Sequence, residues 1–591
     1  MPAKRPVRIA NCSGFYGDRL AAAREMVEGG PIDVLTGDYL AELTMLILWK
    51  SRLKDPSAGY ARTFLTQMEQ VLGTCLERGI KVVSNAGGLN PSGLAAEIAA
   101  LSERLGLGAK VSWVDGDDIS ERITDLMADG HPLANLDTGQ PLAEAGVKPI
   151  TANAYLGGFG IAEALAEGAD VVVCDRVTDA SLVVDPAAWW HGWGRGEYDR
   201  LAGAVVAGHV IECGPQATGG NYSWLEEVTD RRYPGFPIAE VAEDGSSVIT
   251  KHADTGGLVS VGTVTAQLLY EIAQPAYANP DAVAHFDTIE LAQEGGDRVR
   301  ISGVRGTPPP SELKVALNYM GGYRNSMTLV LTGLDIEAKA AWAEQELFSI
   351  LGGKERFAEV DVHLARFDRE DSPDNELATA HLKITVKDPD PKKVGRTFSN
   401  ATMELALGGY AGFHTTTPPS AESAFGVYWP TLVPASAVRH RVVLPDGSER
   451  VIPHLGQGGI PGDQPSPVRA PAPASGSTVR APLGRLCAAR SGDKGGNANV
   501  GLYTRDDASF EWLASYLDLA RFRELLPEAA ELEVRRYELP NLRALNFVVI
   551  GLLGTGVASS TRPDPQAKGL GEYLRSRHVD IPASLISKEK R

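Results

Sequence analysis

The chain has 591 residues, of which 43% are hydrophobic and 22% charged, with a formal net charge of -18. That acidity excludes a general binder of nucleic acid or anionic membrane, because both are held by basic surface, and no apolar run approaches the roughly 18 residues a membrane span needs. Five scattered cysteines (Cys12, Cys75, Cys174, Cys213, Cys487) suggest neither a disulfide framework nor a CxxC zinc site, so a cytoplasmic protein of several domains is expected.

Along residues 7–38 a strand, the glycine turn CSGFYG, a helix over 18–27 and a second strand ending at Asp38 make one strand-helix-strand unit. The pattern recurs over 80–118: a strand ends at Asn85, AGGLNP turns, a helix follows, and a strand over 110–114 ends at Asp115-Gly-Asp117-Asp118. A third copy, TANAYLGGFGIAEALAEGADVVVCDRVTDASL, covers 151–182, with Asn153 before the GGFG turn and Asp175, Arg176, Thr178 and Asp179 after the second strand.

Three strands therefore end in Asn and the next in Asp: Asn11 with Asp38, Asn85 with Asp115, Asn153 with Asp175. Right-handed crossovers bring all six to the carboxyl edge of a parallel sheet, where open α/β sheets collect ligands. Turn and helix-cap chemistry explains any one of these residues separately, and the threefold coincidence is what points to a polar crevice. The GGFG turn also invites a dinucleotide reading, which is marked down because Glu163 stands where the third glycine is needed.

Helices over 40–49 and 61–78 read as scaffold, and AAWWHGW over 187–193 as an aromatic cluster or a stacking wall. GHVIECGPQATGGNYSWL, 208–225, combines His209, Glu212, Cys213, Gln216 and Asn221 with glycines whose amides can approach an oxyanion. Glu212 is the better acid–base candidate there, since a small free cysteine is commonly a core residue. The glycine turn entering a helix at 256–272 offers an anion site at its amino terminus.

From 314 the pattern changes. LKVALNY, a glycine turn, MTLVLTG, a helix over 336–351, VDVHLARF, HLKITVK and a helix over 391–407 give ββαββα, an α+β arrangement. A turn-rich segment, 408–434, holds His414, Ser420 and Glu422 and is expected either to return over the crevice or to be a surface connection. The Pro/Gly-rich residues 456–482 read as a linker. The last part, 483–591, reads as a small α+β domain whose ARSGDKGGN loop resembles a phosphate cradle without P-loop spacing.

Taken together, NCSGFYGD, TGDYLAELTM, SNAGGLNP, GFGIAEALAEGADVVVCDRVTDASL, HVIECGPQATGGN and RSGDKGGNANVGLY resemble the acyclic terpene utilization AtuA family over nearly the whole chain. The resemblance implies a fold of an α/β core with a parallel sheet (1–310), an α+β second part (311–455), a linker (456–482) and a ferredoxin-like α+β domain (483–591). It implies a role in citronellol or geraniol catabolism, read as hydratase or lyase acid–base chemistry on a branched acyl-CoA. A non-catalytic acyl-CoA-binding or assembly partner of an acyl-CoA carboxylase is the first alternative, and a Cys-dependent hydrolase the second.

The family supplies no agreed catalytic set, so residues are chosen within the matching motifs. Asp175, Asp179, Glu212 and Cys213 are the catalytic candidates; Asp38, Asn85, Asn153, Arg176, Asn221, Ser491, Asp493 and Lys494 are the substrate-binding ones. No cofactor is expected to be required beyond the CoA thioester as substrate. Mg²⁺ on Asp38, Asp115, Asp117 and Asp175 is the metal alternative. Carboxylase subunits are the expected protein partners, and a homo-oligomer the expected assembly.

Overall fold

A computed structural model describes residues 4–456, 458–459, 462–467 and 476–586. Six short strands open the chain: β1 (Val7–Asn11), β2 (Val34–Gly37), β3 (Lys81–Ser84), β4 (Val111–Asp115), β5 (Pro149–Ala154) and β6 (Val171–Cys174). All but β5 lie parallel in the order β1-β2-β3-β6-β4, with Asn11 opposite Thr36, Gly37 opposite Ser84 and Ser84 opposite Val173. Their Val/Ile/Leu content suits strands covered by helices on both faces. The sheet is extended by antiparallel strands: β7 (Pro237–Val241) beside β1, β8 (Ser247–Lys251) beyond it, and Arg441–Val443 beside β4.

The helix Arg62–Arg78 shows why these segments hold their places. Phe64, Met68, Val71, Leu72 and Cys75 recur at helical spacing and are all buried in the core, and Gly79 ends the helix in the left-handed conformation at φ 68°. Burying each of the larger side chains stabilises by about 1.5–3 kcal/mol.

Two expectations are corrected here. β5 does not join the parallel sheet; it pairs with the start of the long strand Glu312–Thr332, and the Tyr155 amide donates to the Lys314 carbonyl at 2.8 Å. That strand also runs unbroken through Gly321-Gly322, where a turn was expected. A Cβ on Gly321 would stand 2.3 Å from the Phe425 ring, and Gly322 sits at φ 118°, so the pair answers close packing and a twist of the strand.

Among the described residues, those in 1–318, 428–557 and 564–591 form one compact unit and those in 319–427 and 558–563 a second. In the second unit the strands Glu359–Arg366 and Thr379–Asp388 continue an antiparallel sheet, with Glu359 opposite Lys387 and Tyr323 opposite Asp388. The helices Ile336–Leu351 and Arg396–Gly408 bury Leu347, Phe348, Phe398 and Leu405 against it.

Within the first unit, residues 483–586 form a four-stranded antiparallel sheet with its own core of Leu502, Phe510, Phe522 and Phe547. The ARSGDKGGN segment is a hairpin and not an open loop: strands Cys487–Lys494 and Asn497–Thr504 pair in register, and Gly495-Gly496 make the two-residue turn. Part of the expected linker is ordered against this sheet. Ser466 donates its amide to the Arg536 carbonyl and its hydroxyl accepts the Glu538 amide at 2.9 Å each, while 457, 460–461 and 468–475 lie outside the described residues.

Candidate active site

The crevice forms at the carboxyl edge of the parallel strands, where each chain end is tied to its neighbour. Asn11, at the end of β1, accepts the Ser13 amide at 2.7 Å and donates to the Glu212 carbonyl at 3.2 Å. A Cβ on Gly14 would meet the Cys213 backbone at 2.7 Å, so glycine is what lets the NCSG turn lie against the end of the helix Tyr198–Ile211. Asn85, after β3, donates to the Asp38 carboxylate at 2.6 Å and accepts the Tyr39 amide at 2.8 Å.

Arg176, after β6, is almost wholly buried and grips Asp179 with Nη1 at 2.7 Å and Nη2 at 3.4 Å. Its guanidinium lies over the Tyr155 ring, 4.2 Å from the centroid, and Lys314 Nζ stands 5.0 Å from the same centroid. Asp179 remains partly open, its side chain 29% exposed against 10% for Glu212.

The hairpin of the last domain completes the crevice. Lys494 Nζ donates to the Glu271 carbonyl at 2.7 Å and stands 5.7 Å from the centroid of Tyr277, while Arg490 binds Gln216 and lies over Tyr270. Glu271 holds φ 55°, an unusual conformation for a side chain with a Cβ, and the Asn499 side chain accepts its amide at 2.9 Å.

Burial dominates the electrostatics. It pushes the Glu212 carboxyl well above the usual carboxylate range, with Asp179 and Glu271 adding to the effect while Lys494 and Arg176 oppose it. Asp38 is raised by burial and Asp179 against Arg176 and Asn85. His209, whose Nδ1 is 3.2 Å from Glu212, is held neutral by burial and by Lys494, its imidazole lowered to about 4. Arg176, Asp179, Glu271 and Lys494 thus lie within electrostatic reach of Glu212, and Arg176, Asp179 and Glu212 within reach of Asp38: two acids held high by burial, an ion pair and a second cation.

The remaining candidates sit elsewhere. Asp175 is fully buried behind the crevice, where it accepts the Asp117 amide at 3.0 Å; Asp117 in turn accepts from Asn153 Nδ2 at 2.8 Å and from the Arg176 amide at 3.2 Å. Burial raises both carboxyls, Asp117 to about 7, and each adds to or offsets the other's shift, while the Asp117 oxygen that accepts the Arg176 amide keeps that backbone in place. Ser491 is buried in its hairpin, donating to the Lys568 carbonyl at 3.1 Å, and Asp493 is half-buried on the same strand. Asn221 is exposed in a left-handed turn at φ 57°. Cys213 borders the crevice, yet burial and the carboxyls of Glu212, Glu271 and Asp38 push its thiol far from the thiolate form.

Asp115 is engaged by Nε and Nη2 of Arg441, at 2.7 and 2.6 Å, and among the described residues no three His, Cys, Asp or Glu side chains are arranged to hold a metal ion. The donor set therefore does not fit the Mg²⁺ reading. Nor does the GGFG turn fit a pyrophosphate: a Cβ on Gly157 would meet the Asp281 carboxylate at 2.3 Å, and one on Gly158 would meet Asp185 at 1.7 Å. Carboxyl groups occupy the place where a phosphate would sit.

Residues missed from sequence are Glu271, Tyr277, Tyr155 and Lys314. Tyr155 follows two residues after Asn153, Glu271 lies in the glycine-turn and helix stretch 256–272 and Lys314 in the strand LKVALNY, but none of these patterns marks the side chain as facing the crevice, and Tyr277 lies in a stretch with no periodic or glycine signal.

These features define a mixed-sheet α/β protein whose carboxyl-edge crevice is completed by an appended antiparallel domain. The chain belongs to the acyclic terpene utilisation family AtuA, whose model matches residues 7–444, and the AtuA ferredoxin-like domain matches residues 481–580. No curated protein and no solved structure matches it. Among the described residues no helix is long and apolar enough to cross a membrane.

Proposed function

We propose that this AtuA-family chain is an enzyme of acyclic terpene utilisation that moves a proton on a branched acyl substrate, a CoA thioester or its free acid, in a hydration, dehydration or carbon–carbon lyase step. The observation that carries the reading is Glu212, a buried carboxyl held well above the usual carboxylate range within electrostatic reach of the Arg176–Asp179 pair and Lys494. A neutral carboxylic acid in an enclosed site is suited to donate a proton at neutral pH. Asp179 is the partner that receives one, and Arg176 with Lys494 supplies positive charge where an enolate or carboxylate oxygen develops.

Native mass spectrometry and thermal-shift screening against CoA, geranyl-CoA, citronellyl-CoA and the free acids test this reading. A shift with the thioesters, followed by turnover that falls about 10²–10⁴-fold in Glu212→Gln, supports acid–base catalysis. Full turnover in Glu212→Gln overturns it.

A second reading, an accessory subunit of an acyl-CoA carboxylase, is favoured by one observation. Leu334, Trp342 and Ile350, on and beside the helix Ile336–Leu351, are 82%, 51% and 41% exposed. Co-purification with carboxylase subunits, abolished by Trp342→Glu, distinguishes it.

A further inference from the structure

On the other side of the GGFG turn lies a second cavity. Leu156, Phe159, Leu313, Val438, Ile452 and Leu455 give it an apolar wall, and Arg195, Asp281, His440 and His454 are its charged and titratable members. About 40 Å³ is open to the centres of water-sized groups, room for a short chain of heavy atoms and not for a nucleotide. An apolar pocket with a few convergent polar groups is the usual form of a small-molecule site.

The polar groups divide into two kinds. Asp281 is already satisfied: its carboxylate accepts the Gly158 amide at 3.2 and 3.3 Å and the Ser181 hydroxyl at 2.8 Å. Arg195 is not. Its guanidinium donates to the Pro453 carbonyl at 2.5 Å and lies 4.5 Å from the centroid of Phe159; Asp185, Asp281 and Glu163 act on it electrostatically, but among the described residues no carboxylate stands within ion-pairing distance of it. The His440 Nε2 is shut off from solvent with no hydrogen-bond partner, and it packs against Gly160, beside Val114, and not into the open space. Burial, reinforced by Arg195 and His454, lowers this imidazole to about 3 and keeps the ring neutral. Behind Gly158 the Asp185 carboxyl is wholly buried and held high by burial and by Asp281.

We propose that this cavity is a second ligand site that takes the carboxylate of a short aliphatic acid, with Arg195 binding the anion and the aliphatic wall covering its tail. A guanidinium in an enclosed apolar site is the side chain best matched to a planar carboxylate. The site stands independently of the reaction assigned to the crevice. It meets the crevice at one loop, because the Ser181 hydroxyl that binds Asp281 also lies 2.6 Å from the Thr178 hydroxyl, next to Asp179.

Isothermal titration of the full chain with 3-methylbutanoate, 3-methylbutanamide and 3-methylbutan-1-ol provides the test. Saturable binding of the carboxylate is expected, at least about tenfold weaker for the amide and the alcohol, and weakened at least about tenfold by Arg195→Gln. Binding is expected to persist in Lys494→Met, with circular dichroism melts confirming that each variant is folded. The absence of saturable carboxylate binding, equal binding of the amide, or binding that survives Arg195→Gln overturns the proposal; survival there together with loss in Lys494→Met places the acid in the crevice.

Discussion

Lys494 and Glu271 are joined by a 2.7 Å hydrogen bond from the ammonium to the main-chain carbonyl, and Asn499 of the same domain accepts the Glu271 amide. The ferredoxin-like domain thus holds both polar groups of one peptide-flanked residue in a left-handed conformation at the mouth of the crevice. Lys494→Met removes the cation that opposes the rise of Glu212. The expected outcome is a pH profile of turnover or ligand binding whose alkaline limb moves upward, with a stability loss of about 1.5–3 kcal/mol for the charged hydrogen bond. Lys494→Arg restores most of the profile, which a purely structural loss would not do. Denaturant melts and pH-dependent binding measure the two effects separately.

The Asp117–Asp175 pair makes stability depend on pH. Both folded-state values are raised, Asp117 to about 7 from an ordinary 3.8. Between those limits the folded protein binds more protons than the unfolded chain, so this contribution is complete below about pH 4 and is lost as pH rises towards about 7, at up to about 1.4 kcal/mol per pH unit for one proton. Asp117→Asn should flatten that fall. Melting temperatures of the two proteins across pH 4–8 check it, and parallel curves would show that the pair does not titrate as described.

Gly158 and Asp185 are predicted to couple. A Cβ at 158 would stand 1.7 Å from an Asp185 oxygen, so Gly158→Ala should destabilise by more than about 2 kcal/mol. Asp185→Ala removes a carboxyl whose two oxygens have no partner, and the double variant should be more stable than the sum of the single losses. A double-mutant cycle in urea gives the coupling.

Cys213 should react slowly. With its thiol pushed far above the usual range, iodoacetamide at pH 8 is expected to modify it much more slowly than a free thiol, and Cys213→Ala should retain turnover. Rapid alkylation prevented by substrate would revive the hydrolase reading.

The apolar runs of β1, β2, β3, β4 and β6 were legible because buried parallel strands announce themselves locally. The place of β5 was not: PITANA carries the same kind of pattern, and its partner strand begins at Glu312, a pairing that no local window records. Gly321-Gly322 misled for a related reason, since a glycine pair in a strand and one in a turn look alike until Phe425 is seen against it. In the site, Asp38, Arg176, Asp179 and Glu212 could be found because strand ends and glycine turns mark a sheet's carboxyl edge. Asp175 follows its strand in the same way but faces inward to Asp117. Glu271 and Lys314 carry no such mark, and their place depends on contacts made across more than a hundred residues.

Because the crevice draws on positions from Asp38 to Lys494, a growing polypeptide has no complete site until its final domain has left the ribosome. The early strands are synthesised long before that, and until then Glu271 has neither Lys494 nor Asn499 to hold it. Such long sequence separations slow folding and prolong exposure of unfinished surface. A nascent chain halted before the hairpin would carry the acids of the site without the lysine that tempers them.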